Sequence, residues 1–485
     1  MKKGHILALH MGTRETSALL IDTLGQVVDR VSKPHRFIYP HHGWIEQDPL
    51  ELWDIQYAIM QEILNKGFGG PSDVRGIALT TAPSTVVVWD PKTSKPLWNA
   101  ILWNDRRPVP PLSSITSLPT TGLIPSSTFS AYKMRWILEK VQPSNPVICG
   151  TLNSWLLWKL SGHKALYTDA TNASKTLLYN LETEEYDPEL LEAFNIPLDS
   201  LPPIQSNAEI YGTTDLDLFQ TPVPIASMIA SPQGALFGHA PLATRQVHLT
   251  LGTGTVMLAP QGPSLPSSRP GLLITPSCQL PSQAPHYAYE ALTYSVGSTT
   301  EWLKDSMGLI KTPREIEGLA YSVPDSGGVY FIPALEGLGT PYWDDHVRGT
   351  LFGLSSSTHI GHFMRALTEG IAHQIADSLS PLAPLTKAPI LCSGSESKNL
   401  ALLQYIADLL QRPLKRTEDQ DMAPIGAAQL AGLALNLWDL PTLKSHKRLI
   451  EQEFQPEQSE KDIQAMRQTW ETLRKQAQKA TTTLT

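Results

Sequence analysis

Cysteine is scarce in this chain. Three occur in 485 residues, Cys149, Cys278 and Cys392, far apart and odd in number. This excludes a disulfide-stapled scaffold and offers no zinc spacing, so each reads as a small buried hydrophobe. Positive charge is also short. Lys and Arg number 38 against 46 Asp and Glu, a formal net charge of -8. A chain of that sign lacks the basic face that neutralises a phosphate backbone, so nucleic acid is excluded as the main partner. Long apolar runs are missing as well. Ile6 to Leu9, behind Lys2 and Lys3, is too short for a signal peptide. No stretch approaches the length of a membrane span, so no membrane partner and a cytoplasmic location are expected. What is present, 41% apolar and 17% charged residues, suits a packed soluble protein. The length exceeds what one core ordinarily fills and predicts two or three domains.

The pattern along the chain alternates strands with helices. Residues 5–30 read as a hairpin: apolar Ile6 to Leu9, a turn at Gly12-Thr13, the return Ser17 to Asp22, then a second turn and Gln26-Val27-Val28. A helix is predicted over 48–66, opened by Asp48-Pro49, with Leu52, Ile55, Ile59 and Ile63 on one face. Strands follow at 76–80 and 85–89. The proline-rich 108–111 and the Ser/Thr-rich 113–128 read as loops, and 131–141 and 152–160 as helices. A boundary is expected near 239–246, because a second strand–turn–strand begins at His248. The expected division is 1–244 and 245–485, an α/β fold of two halves around a cleft. The tail, 456–481, has mixed charges at helical spacing and reads as a solvated helix face.

Three glycine elements could turn backbone N–H groups toward a phosphate. They are Gly12-Thr13, Gly252-Thr253-Gly254, and Gly394 between the strand 389–391 and a helix from Asn399 to Leu410. Each taken alone is equally well an ordinary turn.

The segments Gly43 to Pro49, Asn99 to Trp103, Phe129 to Lys133 and Thr168 to Ser174 carry a specific resemblance. So do Gly337 to Asp344, Arg348 to Leu354 and Gly426 to Gly432. In order and spacing the chain resembles the glycerol kinases of the FGGY carbohydrate-kinase family over nearly its full length. The resemblance implies two actin-like (ribonuclease-H-like) domains, ATP in the cleft with Mg²⁺, a small polyol or sugar mostly on the first domain, and a homo-oligomer. It also implies nucleotide contacts at Gly12, Thr13, Gly252, Thr253, Gly254, Gly297 and Gly394, with Lys398 where an asparagine is expected.

Several implied site residues are replaced. His10 stands where the family has a metal-positioning carboxylate, and imidazole is a poor ligand for Mg²⁺. Ser17 replaces an arginine. Pro83 and Ser84 occupy the places of an Arg-Glu polyol pair, Thr128 that of a tyrosine, and Trp103 is kept. Ser231 sits where an aspartate should take the proton from the attacking hydroxyl. Serine is no base near neutral pH, and a general base supplies on the order of 10²–10⁴ in rate. These losses point to a pseudokinase. The alternatives are a kinase for another hydroxylated substrate, with Asp105 as a replacement base, and a non-catalytic partner-binding protein. His10 as a hydrogen-bonded histidine and Asp105 in a solvated ion-paired loop are the plainer readings of those two residues.

Overall fold

The computed structural model describes residues 4–66, 70–107, 119–244, 246–385, 387–445 and 449–482. The expected loop at 108–118 lies outside them.

The first sheet is built from β1 (His5–Met11), β2 (Glu15–Asp22), β3 (Val27–Pro34), β4 (Val74–Thr81), β5 (Gly212–Thr213) and β6 (Pro224–Ala230). Their order is β5-β6-β4-β1-β2-β3. β1, β2 and β3 form the expected antiparallel meander, whereas β1, β4 and β6 run parallel. Side chains alternate across a strand. Leu7, Leu9 and Met11 therefore face one core, with Leu52, Ile59 and Ile63 of the helix Pro49–Leu64. Ile6 and Ala8 face another, with Ala427, Leu430 and Ala431 of the helix Met422–Ala434. Burying one such Leu or Ile stabilises by about 1.5–3 kcal/mol. The helix Pro49–Leu64 starts where expected because the Asp48 carboxylate accepts from Leu50 N and Pro49 needs no hydrogen-bond partner. Ile55 is only half-buried.

The second sheet contains β7 (His248–Leu251), β8 (Thr255–Gly262), β9 (Leu273–Cys278), β10 (His286–Thr293), β11 (Ile390–Ser393), β12 (Leu414–Thr417) and β13 (Ile450–Phe454). The order is β9-β10-β8-β7-β11-β12-β13, again with an antiparallel hairpin beside parallel neighbours. The helix Met422–Ala434 crosses to the first sheet and packs on the helix Ser231–His239 so closely that a Cβ at Gly426 would strike the carbonyl oxygen of Gly234.

The expected strand at 85–89 forms as Val86–Trp89, in a separate four-stranded sheet. Two expectations need correction. Residues 119–128 include a 3-10 turn at Pro119–Thr121 rather than loop alone. The tail helix, Glu460–Thr482, is solvated on one face only: Trp470 is buried and donates from Nε1 to Asp377 at 2.9 Å, and Ala477 is buried beside it. All three cysteines are buried and free.

Candidate functional site

Sheet register brings the site together. His10 pairs with Thr80 and Met11 with Thr81, while Ile229 and Ala230 pair with the same two residues. The carboxyl ends of β1, β4 and β6 thus finish in one row, the usual ligand edge of a parallel sheet. The next residues out are the turn at Gly12, the corner Ala82-Pro83-Ser84, and Ser231. In the second sheet Thr250 pairs with Ser393, so Gly252 and Gly394 emerge side by side. Between the two edges lies a cleft of about 1600 Å³.

His10, Gly12, Thr13, Pro83, Ser84, Trp103, Thr128, Ser231, Gly252, Thr253, Gly254 and Gly394 all line it. Gly297 stands just behind, where a Cβ would lie 2.7 Å from Gly252 O. Even-numbered residues of β1 face the helix Ser231–His239, so His10 follows Ile6 and Ala8 toward Ser231. Its Nδ1 lies 3.5 Å from Ser231 Oγ. Burial holds the imidazole below its ordinary pKa, against the opposing pull of Asp421 and Glu15. Those two carboxylates are both engaged by Arg30, Glu15 at 2.8 Å and Asp421 at 2.7 Å. Mg²⁺ takes hard oxygen ligands in near-octahedral array. A neutral imidazole, a hydroxyl and two arginine-bound carboxylates do not fit it. Among the described residues no group of three or more His, Cys, Asp or Glu is gathered to hold a metal.

Beside the first sheet, Trp103 donates from Nε1 to Thr13 Oγ1 at 2.9 Å, and its ring edge fills the space a Gly254 side chain would need. Thr128 Oγ1 accepts from Arg106 Nη1 at 3.1 Å and donates to the Tyr294 hydroxyl at 3.2 Å. Ser84 sits at φ 66, a left-handed conformation costly for a non-glycine residue, and its Oγ donates to Lys175 O at 3.2 Å. Lys175 pairs with Glu290 across 2.6 Å, and Thr275 and Gln233 also donate to that carboxylate, each at 3.3 Å. Toward the second sheet, Arg14 reaches from the β1–β2 turn to Glu396 and Glu301. Lys398 and Asn399 both line the cleft, and Asn399 also caps the helix Leu400–Leu410 by accepting from Leu402 N at 3.0 Å.

Asp105 is not in the cleft wall, which corrects its place as a replacement base. It is 1% exposed. It accepts from Ile45 N at 2.6 Å and from Arg107 N, Nε and Nη2 at 2.8–2.9 Å, leaving no free face for a substrate proton. Nor is it solvated. It orients Arg107, whose guanidinium also meets Glu46 and stacks on Trp44 and Trp136. Sequence reasoning passed over Arg14, Lys175, Glu290, Glu301 and Glu396. Signals for two of them were at hand: Arg14 follows Thr13 in the glycine turn, and Lys175 follows the segment Thr168 to Ser174.

Two sheets, each carrying a glycine hairpin, face each other over this cleft, an architecture shared with solved polyol and sugar kinases. Residues 5–238 match the N-terminal domain of the FGGY family of carbohydrate kinases and residues 247–435 its C-terminal domain. The chain belongs to the FGGY family of carbohydrate kinases, and its likeness within that family is to glycerol kinases. It is 36% identical to glycerol kinase from Burkholderia multivorans, covering 97% of both chains. It is 34% identical to glycerol kinase 2 from Thermotoga maritima, over 96% of this chain and 97% of that one. The crystal structure of Plasmodium falciparum glycerol kinase with ADP superposes with a TM-score of 0.82 at 28% identity, covering 98% of each chain. A xylulose kinase from Lactobacillus acidophilus, at 21% identity and TM-score 0.80 over 98% of both chains, shares the fold. This is the two-domain actin-like α/β fold. Among the described residues no helix is long and apolar enough to cross a membrane.

Proposed function

We propose that this glycerol-kinase-like protein is impaired in phosphotransfer and acts as a pseudokinase that holds a nucleoside phosphate in its cleft. The observation that carries the reading is the His10–Ser231 contact at 3.5 Å. An imidazole and a hydroxyl stand at the sheet edge where the family resemblance places a metal carboxylate and a base. Phosphoryl transfer depends on positioning, charge neutralisation and orientation of the nucleophile. Here His10 stays neutral, Ser231 cannot take a proton, and Pro83 and Ser84 offer a polyol no charged pair. The chain's own residues still bind and shape: Trp103 supplies an apolar wall beside Thr13, and Gly12, Gly252 and Gly394 leave backbone exposed to a ligand. The test is ADP release from Mg-ATP with glycerol and a panel of polyols and sugars. Background rates are expected, and steady turnover at roughly 1–100 per second overturns the reading.

A second reading, a kinase for a different hydroxylated substrate, is favoured by one observation. The Lys175–Glu290 ion pair lies beside Ser84 in the cleft wall, within reach of a hydroxylated substrate. Turnover with one member of the panel and not with glycerol would establish it.

A further inference from the structure

The β1–β2 turn sends Arg14 across the cleft. Its Nη2 lies 2.5 Å from Glu396 Oε1 and 2.7 Å from Ser395 Oγ, its Nε 3.5 Å from Glu301 Oε1, and its Nη1 donates to Gly297 O at 3.5 Å. The guanidinium rests against bare backbone. A Cβ at Gly297 would stand 2.8 Å from Nη2. It therefore occupies the space between the glycine elements of the two sheets, where the missing side chains let a ligand approach.

The walls around it carry more carboxylates than cations, with Glu15, Glu301, Glu396, Glu418, Asp419 and Asp421 among them. A polyphosphate brought here needs positive charge at short range. The residues at His10 and Ser231 do not fit a divalent ion, so that charge has to come from the chain. A guanidinium presents a planar fork that meets two phosphate oxygens at once and is always charged.

We propose that Arg14 is the phosphate-recognising residue of this cleft, and that a nucleoside polyphosphate binds without a divalent cation by taking the guanidinium over from Glu396 and Glu301. The proposal rests on the reading of the cleft as a nucleotide site. The exchange strands no buried charge. The Glu301 and Glu396 side chains are 25% and 15% exposed, so both carboxylates keep access to water when Arg14 turns away. Burial, together with Glu396 and Asp305, pushes Glu301 up to about 7 despite Arg14, which further weakens its hold on the guanidinium.

Calorimetric titration of the full chain with ATP, once in EDTA and once with excess Mg²⁺, tests this on the wild type, Arg14→Ala, Arg14→Lys and Glu396→Gln. ATP is expected to bind in EDTA, with no gain from Mg²⁺. Arg14→Ala should weaken it about 10–100-fold, the scale of a lost charged hydrogen bond. Arg14→Lys should recover part of the loss, and Glu396→Gln should tighten binding by removing the competing carboxylate. A merely structural Arg14 would not give opposite signs for the two partners. Binding that requires Mg²⁺ and ignores Arg14→Ala overturns the proposal. So does tighter binding by Arg14→Ala, or no binding by the wild type and Glu396→Gln. If Arg14→Ala fails to fold, the EDTA titration and Glu396→Gln decide. ADP release is scored separately, so turnover would sink the impaired-kinase reading while leaving the metal-free binding result to stand or fall by itself.

Discussion

Lys175 Nζ and Glu290 Oε2 meet at 2.6 Å inside the cleft, one from the 3-10 turn Ser174–Thr176 that follows the helix Ala170–Ala173 and one from β10, with side chains 3% and 5% exposed. Burial by itself lowers the pKa of Lys175, and Glu290 opposes the shift by charge and hydrogen bond. Each group is the other's main compensation for lost water. Lys175→Met should therefore cost about 3–5 kcal/mol by leaving a buried carboxylate unpaired, while adding Glu290→Gln should recover much of it. Chemical denaturation of the two variants checks this. Equal stability of single and double variants would show the pair is not coupled.

Under the proposed reading, in which His10 and Ser231 impair phosphotransfer, placing carboxylates at both positions should raise turnover. The His10→Asp/Ser231→Asp double variant is expected to release ADP with glycerol about 10²-fold or more above the wild type, the scale of a regained base. The gain should exceed the sum of the single variants, since both groups act on one reacting phosphate. An unchanged rate would move the cause elsewhere, first to Pro83 and Ser84.

Acid should destabilise the fold through its histidines. Burial lowers His35 from 6.5 to about 4 and His248 to about 3. With folded values below the unfolded one, their contribution is intact above pH 6.5 and lost as pH falls toward 4 and then 3. Glu301 has the opposite sign: raised from 4.5 to about 7, its contribution is present below pH 4.5 and lost as pH rises through 7. Melting temperature is expected to fall between pH 6.5 and 4. His248→Gln should flatten that slope and Glu301→Gln should steepen it.

Asp105 should prove structural. Asp105→Asn removes charge beneath the buried Arg107 guanidinium, so about 3–5 kcal/mol of stability should be lost. Affinity for ATP, measured by calorimetry at a temperature where the variant is folded, should stay within about twofold. A selective loss of ADP release in a fully stable variant would return Asp105 to the chemistry.

Most of the architecture was legible because it rests on local rules. Period-2 alternation in His5–Met11, the Asp48-Pro49 helix start and the glycine turns of both hairpins each depend on neighbours a few residues away. Val86–Trp89 was legible as a strand but not as part of another sheet, because which edge a strand joins is a long-range choice. The tail helix read as solvated because its charges dominate its composition. Trp470 and Ala477 mark the buried face only once Asp377 is known to lie opposite.

The sequence by itself determined the family and the two hairpin-led halves, since identity at a motif position needs no coordinates. Only the tertiary structure decided which side chains meet in and around the cleft. The fold places His10 against Ser231, encloses Asp105 with Arg107, joins Lys175 to Glu290, and carries Arg14 to Glu396. Those partners are far apart along the chain, and a charge acquires its role from the groups within a few ångströms of it, which sheet register and packing alone select.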